Sequence, residues 1–264
     1  GEMAGVNEEP GWGRMSEPEE ILDAAEEALI LDPPWRGLRV LVTSGPTRES
    51  LDPIRFLSNR SSGKMGDALA RQAHLLGAEV FLVRGVGSQN PPPRGPKVFT
   101  VESAQEMGKV VKELFPASHI LIMAAAVSDW QSAHFSPQKM KRTSSELTLQ
   151  LLPNEDILLW AGKHKTHQIV VGFAVETENH LENARLKLES KGADIILLKD
   201  PTQAHSTFGG ETIQLTILTK EGTITKLPKM SKFHAAKRIS EEITSRLKGK
   251  VLPSHAPADE VSPR

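Results

Sequence analysis

The run Leu38-Arg-Val-Leu-Val-Thr43, followed by Asp52-Pro-Ile-Arg-Phe-Leu-Ser-Asn-Arg-Ser-Ser-Gly-Lys-Met-Gly66, decides how this chain folds. The first stretch is apolar and β-branched, which predicts a strand. The second ends where a helical pattern begins, with Ala68, Leu69, Ala73 and Leu76 on one face and Gly77 as the stop. Between them sit Ser58, Asn59, Ser61, Ser62, Gly63 and Gly66, all small or hydrogen-bonding. The first N–H groups of a helix lack partners within it, its dipole end is positive, and glycines admit a phosphate close to the backbone. The stretch therefore reads as an anion-binding loop for a nucleotide. An ordinary helix start, capped by Ser61 or Ser62 with Lys64 in solvent, fits the same residues. Two familiar phosphate motifs are absent. A Walker A loop needs Gly at 58 and Ser or Thr at 65, where Ser58 and Met65 stand, and a dinucleotide fingerprint needs Gly at 61, where Ser61 stands.

Strands and helices then alternate. Glu79–Val83 predicts a second strand, residues 85–96 a Pro- and Gly-rich surface loop, and Lys97–Val101 a short strand before a helix capped by Ser103. His119–Ala126 is almost wholly apolar, as expected of a central parallel strand covered on both faces. Asp129 lies at its mouth, where ligands of open α/β sheets bind, although an Asp there also suits a turn cap. Glu146–Leu152 alternates with period two and predicts a half-exposed antiparallel strand. Asn154 is placed to cap a helix through Ile157, Leu158 and Trp160. Gln168–Phe173 is a core strand, 179–190 a helix and Asp194–Leu198 the last parallel strand. Thr212–Thr219 and Thr223–Leu227 form a hairpin, and Ser231–Leu247 a closing helix with Ala235, Ile239 and Ile243 inward. The pattern predicts an α/β fold: a doubly wound, mainly parallel Rossmann-like sheet with an added antiparallel hairpin.

Composition narrows the function. The 264 residues are 38% hydrophobic and 25% charged, enough for one sizeable core or two small ones. With 32 Lys and Arg against 33 acids, the net charge of −1 gives no global field for nucleic acid or an anionic membrane. The absence of cysteine excludes disulfides, thiolate metal sites and a cysteine nucleophile, and suits a cytoplasmic protein. No apolar run reaches the ~18 residues of a membrane span, and the nine histidines form no H-x-H or H-E-x-x-H pattern, so no protein metal site is expected.

Residues 1–34 read as leader and linker: a loop over 1–16, a helix capped by Ser16 with Ile21, Leu22, Ala25 and Leu29 on its apolar face, then the stiff linker Asp32–Gly37. Residues 35–250 read as one nucleotide-binding domain. The Pro-, Ser- and Ala-rich 251–264 read as a disordered tail.

Five ordered motifs go further than chemistry alone. They are Thr43-Ser-Gly-Pro-Thr-Arg-Glu49 with the Asp52–Gly66 string, Ala124-Ala-Ala-Val-Ser-Asp-Trp130, Lys139-Met-Lys-Arg142, Pro153-Asn-Glu-Asp-Ile157 and Val171-Gly-Phe-Ala-Val-Glu-Thr177. Together they resemble phosphopantothenate–cysteine ligase, the coenzyme A enzyme that joins cysteine to 4′-phosphopantothenate. Gly13-Arg14-Met15 and Glu17-Pro18 resemble the end of the flavin-dependent decarboxylase fused ahead of that ligase in many bacteria, which implies a natural fusion.

The resemblance implies that a nucleoside triphosphate activates the carboxylate as an acyl-nucleotide, which the cysteine amine then attacks. CTP is the co-substrate expected of a bacterial member and ATP the alternative, with Mg²⁺ bound through the triphosphate. It assigns catalysis to Asn59, which orients the acyl phosphate, and Lys139, which neutralises the transferring phosphate. Nucleotide contacts are implied for Ser61, Ser62, Gly63, Gly66, Met123, Ala124, Ala125, Asp129, Lys139, Glu155, Asp156, Ile157, Leu158, Phe173, Lys187 and Lys191. Without the resemblance, Lys139, Lys141 and Arg142 would be a solvated charge run, Phe173 core, and Lys187 with Lys191 surface lysines. A homodimer through the hairpin and sheet edge is also implied. Two departures stand out: Lys199-Asp200 where the family usually has Asn-Asp, and Glu211-Thr-Ile213 where an acidic-x-Asn pattern is usual. A nicotinamide-dependent reductase on the same sheet would need the missing fingerprint and a tyrosine, and this chain has none. A nucleotide-binding module without chemistry differs only in lacking use for Asn59 and Lys139.

Overall fold

The computed structural model describes residues 2–3, 11–12, 21, 25, 32–142, 146–176, 178–199 and 209–247. Its strands and helices are β1 Arg39–Ser44, β2 Arg48–Ser50, β3 Phe56–Ser58, α1 Lys64–Leu75, β4 Glu79–Gly85, β5 Lys97–Val101, α2 Ala104–Leu114 and β6 Ile120–Met123. They continue as β7 Trp130–Ser132, β8 Leu151–Pro153, α3 Ile157–His164, β9 Ile169–Val175, α4 His180–Ser190 and β10 Ile195–Lys199. The last are β11 Thr212–Ile213, β12 Thr216–Thr219, β13 Ile224–Lys226, β14 Met230–Ser231 and α5 Lys232–Leu247.

An eight-stranded sheet orders these as β13-β12-β10-β9-β6-β1-β4-β5. The strands from β10 to β5 are parallel, and β12 and β13 add the antiparallel hairpin. The doubly wound fold read from the sequence is thus present. All six residues of β1 are buried because both faces of the sheet are covered. Val40 and Val42 point into a core shared with Leu69, Ala73, Ile239 and Ile243 of α1 and α5. Leu41 points the other way, to Met107, Val111, Ile157 and Ala184 of α2, α3 and α4.

The direction in which successive strands are added to the sheet reverses at β1. From there the chain runs outward through β4 and β5, then returns by α2 to β6 on the other side of β1 and proceeds to β9 and β10. The crevice between the carboxyl ends of β1 and β6 is therefore the topological switch point, where such sheets bind ligands.

Several local expectations are corrected. The strand expected over 146–152 is only Leu151–Pro153, paired with β7; the exposed residues 146–150 gain no ladder. The long first arm of the hairpin breaks at residues 214–215, because Thr212–Ile213 pairs instead with Met230–Ser231. The linker residue Trp35 is fully buried and donates Nε1–H to Thr244 Oγ1 at 2.9 Å, tying the approach to β1 onto α5. Glu2–Met3 and Gly11–Trp12 form a two-residue ladder inside the expected loop. Ile21 and Ala25 are helical and exposed; the rest of the leader helix and the tail 251–264 lie outside the described residues. Among the described residues no helix is long and apolar enough to cross a membrane.

Candidate nucleotide cleft

The loops after β1 and β6 are knitted together by the short stretch Thr43–Thr47. Thr43 Oγ1 accepts the Ala125 N–H at 3.1 Å, Gly45 O accepts Ala126 N–H at 2.9 Å, and Thr47 Oγ1 accepts Ser128 N–H at 2.9 Å. Beyond β1, Ser44 Oγ lies 2.8 Å from Gly63 O and 2.7 Å from Asp67 Oδ1, holding the start of α1 onto the strand end. Arg84 grips Asp67 from the other side with two bonds of 3.2 and 3.0 Å. These contacts need close approach. A Cβ on Gly66 would sit 2.6 Å from Ser44 Cβ and 2.9 Å from its Cα. The α1 cap is Gly63 at φ 81, with no side-chain capping bond, so neither Ser61 nor Ser62 caps the helix. The first-turn amides of α1 have no partner within the helix, and residues 63–66 border the crevice.

A cleft of about 570 Å³ opens there. One wall is Asn59, Ser61, Ser62, Gly63 and Gly66. A second is Met123, Ala124, Ala125 and Asp129. Glu155, Asp156, Ile157 and Leu158 from the start of α3 close the third side, with Phe173 of β9 and Lys187 of α4. Residues from five separate stretches, chosen on sequence, thus meet in one cavity. Asn59 Nδ2 donates to Val127 O at 2.9 Å and so bridges the first two walls. Asn154 does not cap α3. It staples the Ser128–Asp129 turn, its side chain donating to Ser128 O and its N–H to Asp129 O. Asp156 is the cap, accepting Leu159 N–H at 2.8 Å.

Lys191 lies outside the lining but pairs with Asp156 at 2.7 Å. Burial pushes the Asp156 carboxyl up, yet the Lys191 ammonium and the Leu159 amide outweigh it and hold it below the usual carboxylate range. Glu155 pairs with Lys112. Lys139 is exposed and does not line the cleft. Its loop is anchored beside the cleft at two points: Ser136 N–H donates to Leu51 O at 3.0 Å, and Met140 N–H to Asp52 Oδ2 at 3.1 Å. Burial raises the Asp52 carboxyl, but hydrogen bonds from the Arg55, Ile54 and Met140 amides and the Arg55 guanidinium hold it well below the ordinary range.

Sequence reasoning missed the cations at one end. Lys199 and Lys232 line the cleft, as do Gly209 and Thr212. Lys64, expected in solvent if α1 were an ordinary helix start, has a side chain only 19% exposed and pairs with Glu211. Burial lowers the Lys199 ammonium. Burial, then the charges of Lys64 and Lys199, lower that of Lys232, against the pull of Glu211. The one available signal was the family departure at Lys199. Among the described residues no three His, Asp or Glu side chains gather as a metal site.

A sequence model of the DNA/pantothenate metabolism flavoprotein C-terminal domain matches residues 35–247. The coenzyme A biosynthesis bifunctional protein CoaBC of Bacillus subtilis is 40% identical over 237 residues, 89% of this chain and 58% of that protein. A cysteine/cysteine sulfinic acid decarboxylase of an unidentified prokaryote is 41% identical over 238 residues, 88% of this chain and 66% of that protein. The chain thus spans roughly three fifths to two thirds of the length of these relatives. The crystal structure of a CoaBC C-terminal domain superposes with a TM-score of 0.72 at 35% identity, covering 83% of this chain and 100% of that one.

Proposed function

The chain belongs to the family of DNA/pantothenate metabolism flavoprotein C-terminal domains, and on that footing we propose that it joins 4′-phosphopantothenate to L-cysteine in coenzyme A biosynthesis, consuming CTP through an acyl-cytidylate. The observation that carries this is the switch-point cleft, where an open helix start, a bare alanine strand end and an aromatic ring share one cavity. A carboxylate is a poor electrophile and needs activation. Its oxygen attacks the α-phosphorus, an O–P bond forms, the α–β bridging bond breaks, and pyrophosphate leaves with the electron pair. The cysteine amine then attacks the acyl carbon, loses a proton, and the monophosphate leaves. No covalent enzyme intermediate is required, so positioning and charge neutralisation do the catalysis.

In this proposal the Ser61–Gly66 amides hold phosphate oxygens and Lys139 swings in to neutralise the transferring phosphate. Asn59 orients the acyl phosphate; an amide can donate and accept without adding charge. Asp129 takes the ribose, the backbone of Met123–Ala125 and Glu155–Leu158 frames the base, Phe173 stacks on it, and Lys187 and Lys191 add counter-charge. The donors at the phosphate end are amides and lysines, and Glu211 is paired with Lys64. That set fits Mg²⁺ only as an ion carried by the nucleotide, with no protein cage; when bound it neutralises phosphate charge.

Continuous pyrophosphate release requiring both 4′-phosphopantothenate and cysteine is the test. CTP should support it well and ATP poorly. Equal rates would identify an ATP-using member, and no cysteine-dependent turnover would leave a binding module only.

Fusion to a decarboxylase, cytoplasmic residence and homodimerisation belong to the same proposal. For the second copy we assign a surface other than the hairpin and sheet edge expected from the sequence: Ile54 in the turn between β2 and β3, with Phe56, Trp130, Leu151 and Leu152 on the two small sheets β2–β3 and β7–β8, exposes large apolar area. The natural gene product should exceed this chain in subunit mass and run as a dimer. A monomer of this length would contradict both.

A further inference from the structure

One end of the cleft is more basic than the motifs require. Lys64, Lys199 and Lys232 border it, and Lys232 feels the charge of the other two. Among the described residues, the two carboxylates at this wall are engaged: Glu211 with Lys64, and Asp67 with Arg84. A second cavity of about 300 Å³ opens behind the same wall. It shares Lys64 and Lys232 with the cleft and adds Arg71, Asn90 and Ser231. Arg71 is steadied over the Phe233 ring at 4.8 Å. The wall between the cavities thus contains the Lys64–Glu211 ion pair, whose carboxylate side chain is 78% exposed. Such a pair exchanges readily for a multiply charged phosphate.

We propose that this wall is the polyphosphate site of the reaction: the outer two phosphates lie against Lys64, Lys199 and Lys232, and pyrophosphate departs into the Arg71 cavity as Lys64 exchanges Glu211 for it. The inference rests on the cleft being a nucleotide site. The step is the one already balanced above: the α–β bridging bond breaks, and the bridging oxygen leaves with its electrons on pyrophosphate. The charge that appears on that oxygen is met by ammonium groups held in a partly dried site, where they act more strongly than in water. Lys199, standing where the family usually has Asn, adds one cation to this grip.

Calorimetric titration of the full chain with inorganic pyrophosphate, CMP and CTP, each with Mg²⁺, tests it. The parent chain should bind all three. Lys199→Asn and Lys232→Gln should each weaken pyrophosphate and CTP about tenfold or more, and leave CMP unchanged. Arg71→Gln should weaken pyrophosphate alone and lessen product inhibition by it. Unchanged CMP affinity also reports an intact fold. Pyrophosphate binding that is absent from the parent, or equal in all variants, overturns the inference while the nucleotide reading survives. A parent chain that binds neither CMP nor CTP overturns that reading itself, and this inference with it.

Discussion

Lys139→Ala should lose acyl-nucleotide formation by about 10²–10³-fold, the usual cost of removing one preorganised group that meets transition-state charge. The fold should be untouched, because the Lys139 side chain is exposed and the loop is held by backbone bonds at Ser136 and Met140. CTP affinity should change far less than the rate, since Lys139 lies outside the cleft lining and is needed only once the loop has moved. Rapid-quench analysis with labelled CTP measures this directly. Normal burst formation of acyl-cytidylate in the variant would remove Lys139 from catalysis and return the Lys139–Arg142 run to solvent.

Asn59→Asp should divide the reaction at its other half. The intermediate should form and accumulate, with its consumption by cysteine slowed about 10²-fold or more. Asn59 Nδ2 is tied to Val127 O across the cleft. An aspartate at that position has no N–H to give, sets a carboxylate against a carbonyl, and repels the acyl phosphate it should orient. Mass spectrometry of quenched samples would detect the stalled acyl-cytidylate. Ordinary turnover without accumulation would contradict the role given to Asn59.

Much of the site was legible because its residues must be small or apolar. β1 has no polar face since α1 and α5 cover one side and α2 to α4 the other, so its burial could be read from Val40, Leu41 and Val42. Gly63 and Gly66 were legible as a loop needing close approach, and Ser44 beneath them explains why. What was not legible depends on partners distant in the chain. Asn154 looks like a cap locally, yet the Ser128–Asp129 turn claims its side chain and Asp156 takes the cap. The alternation over 146–152 matches a strand, but only Leu151–Pro153 finds a neighbour in β7. Trp35 sits between prolines and a glycine that suggest a linker, and its place in the core it shares with α1 and α5 buries it. Lys199 and Lys232 are unremarkable in isolation. Their charge acquires meaning when the ends of β10 and α5 arrive at the same cavity.

A crystal structure with CTP and Mg²⁺ tests the central claim most directly. The phosphates should lie within hydrogen-bond reach of the amides of residues 64–66, with the base between the Ala124 strand end and Phe173. A nucleotide bound elsewhere, with the α1 start vacant, would contradict the account.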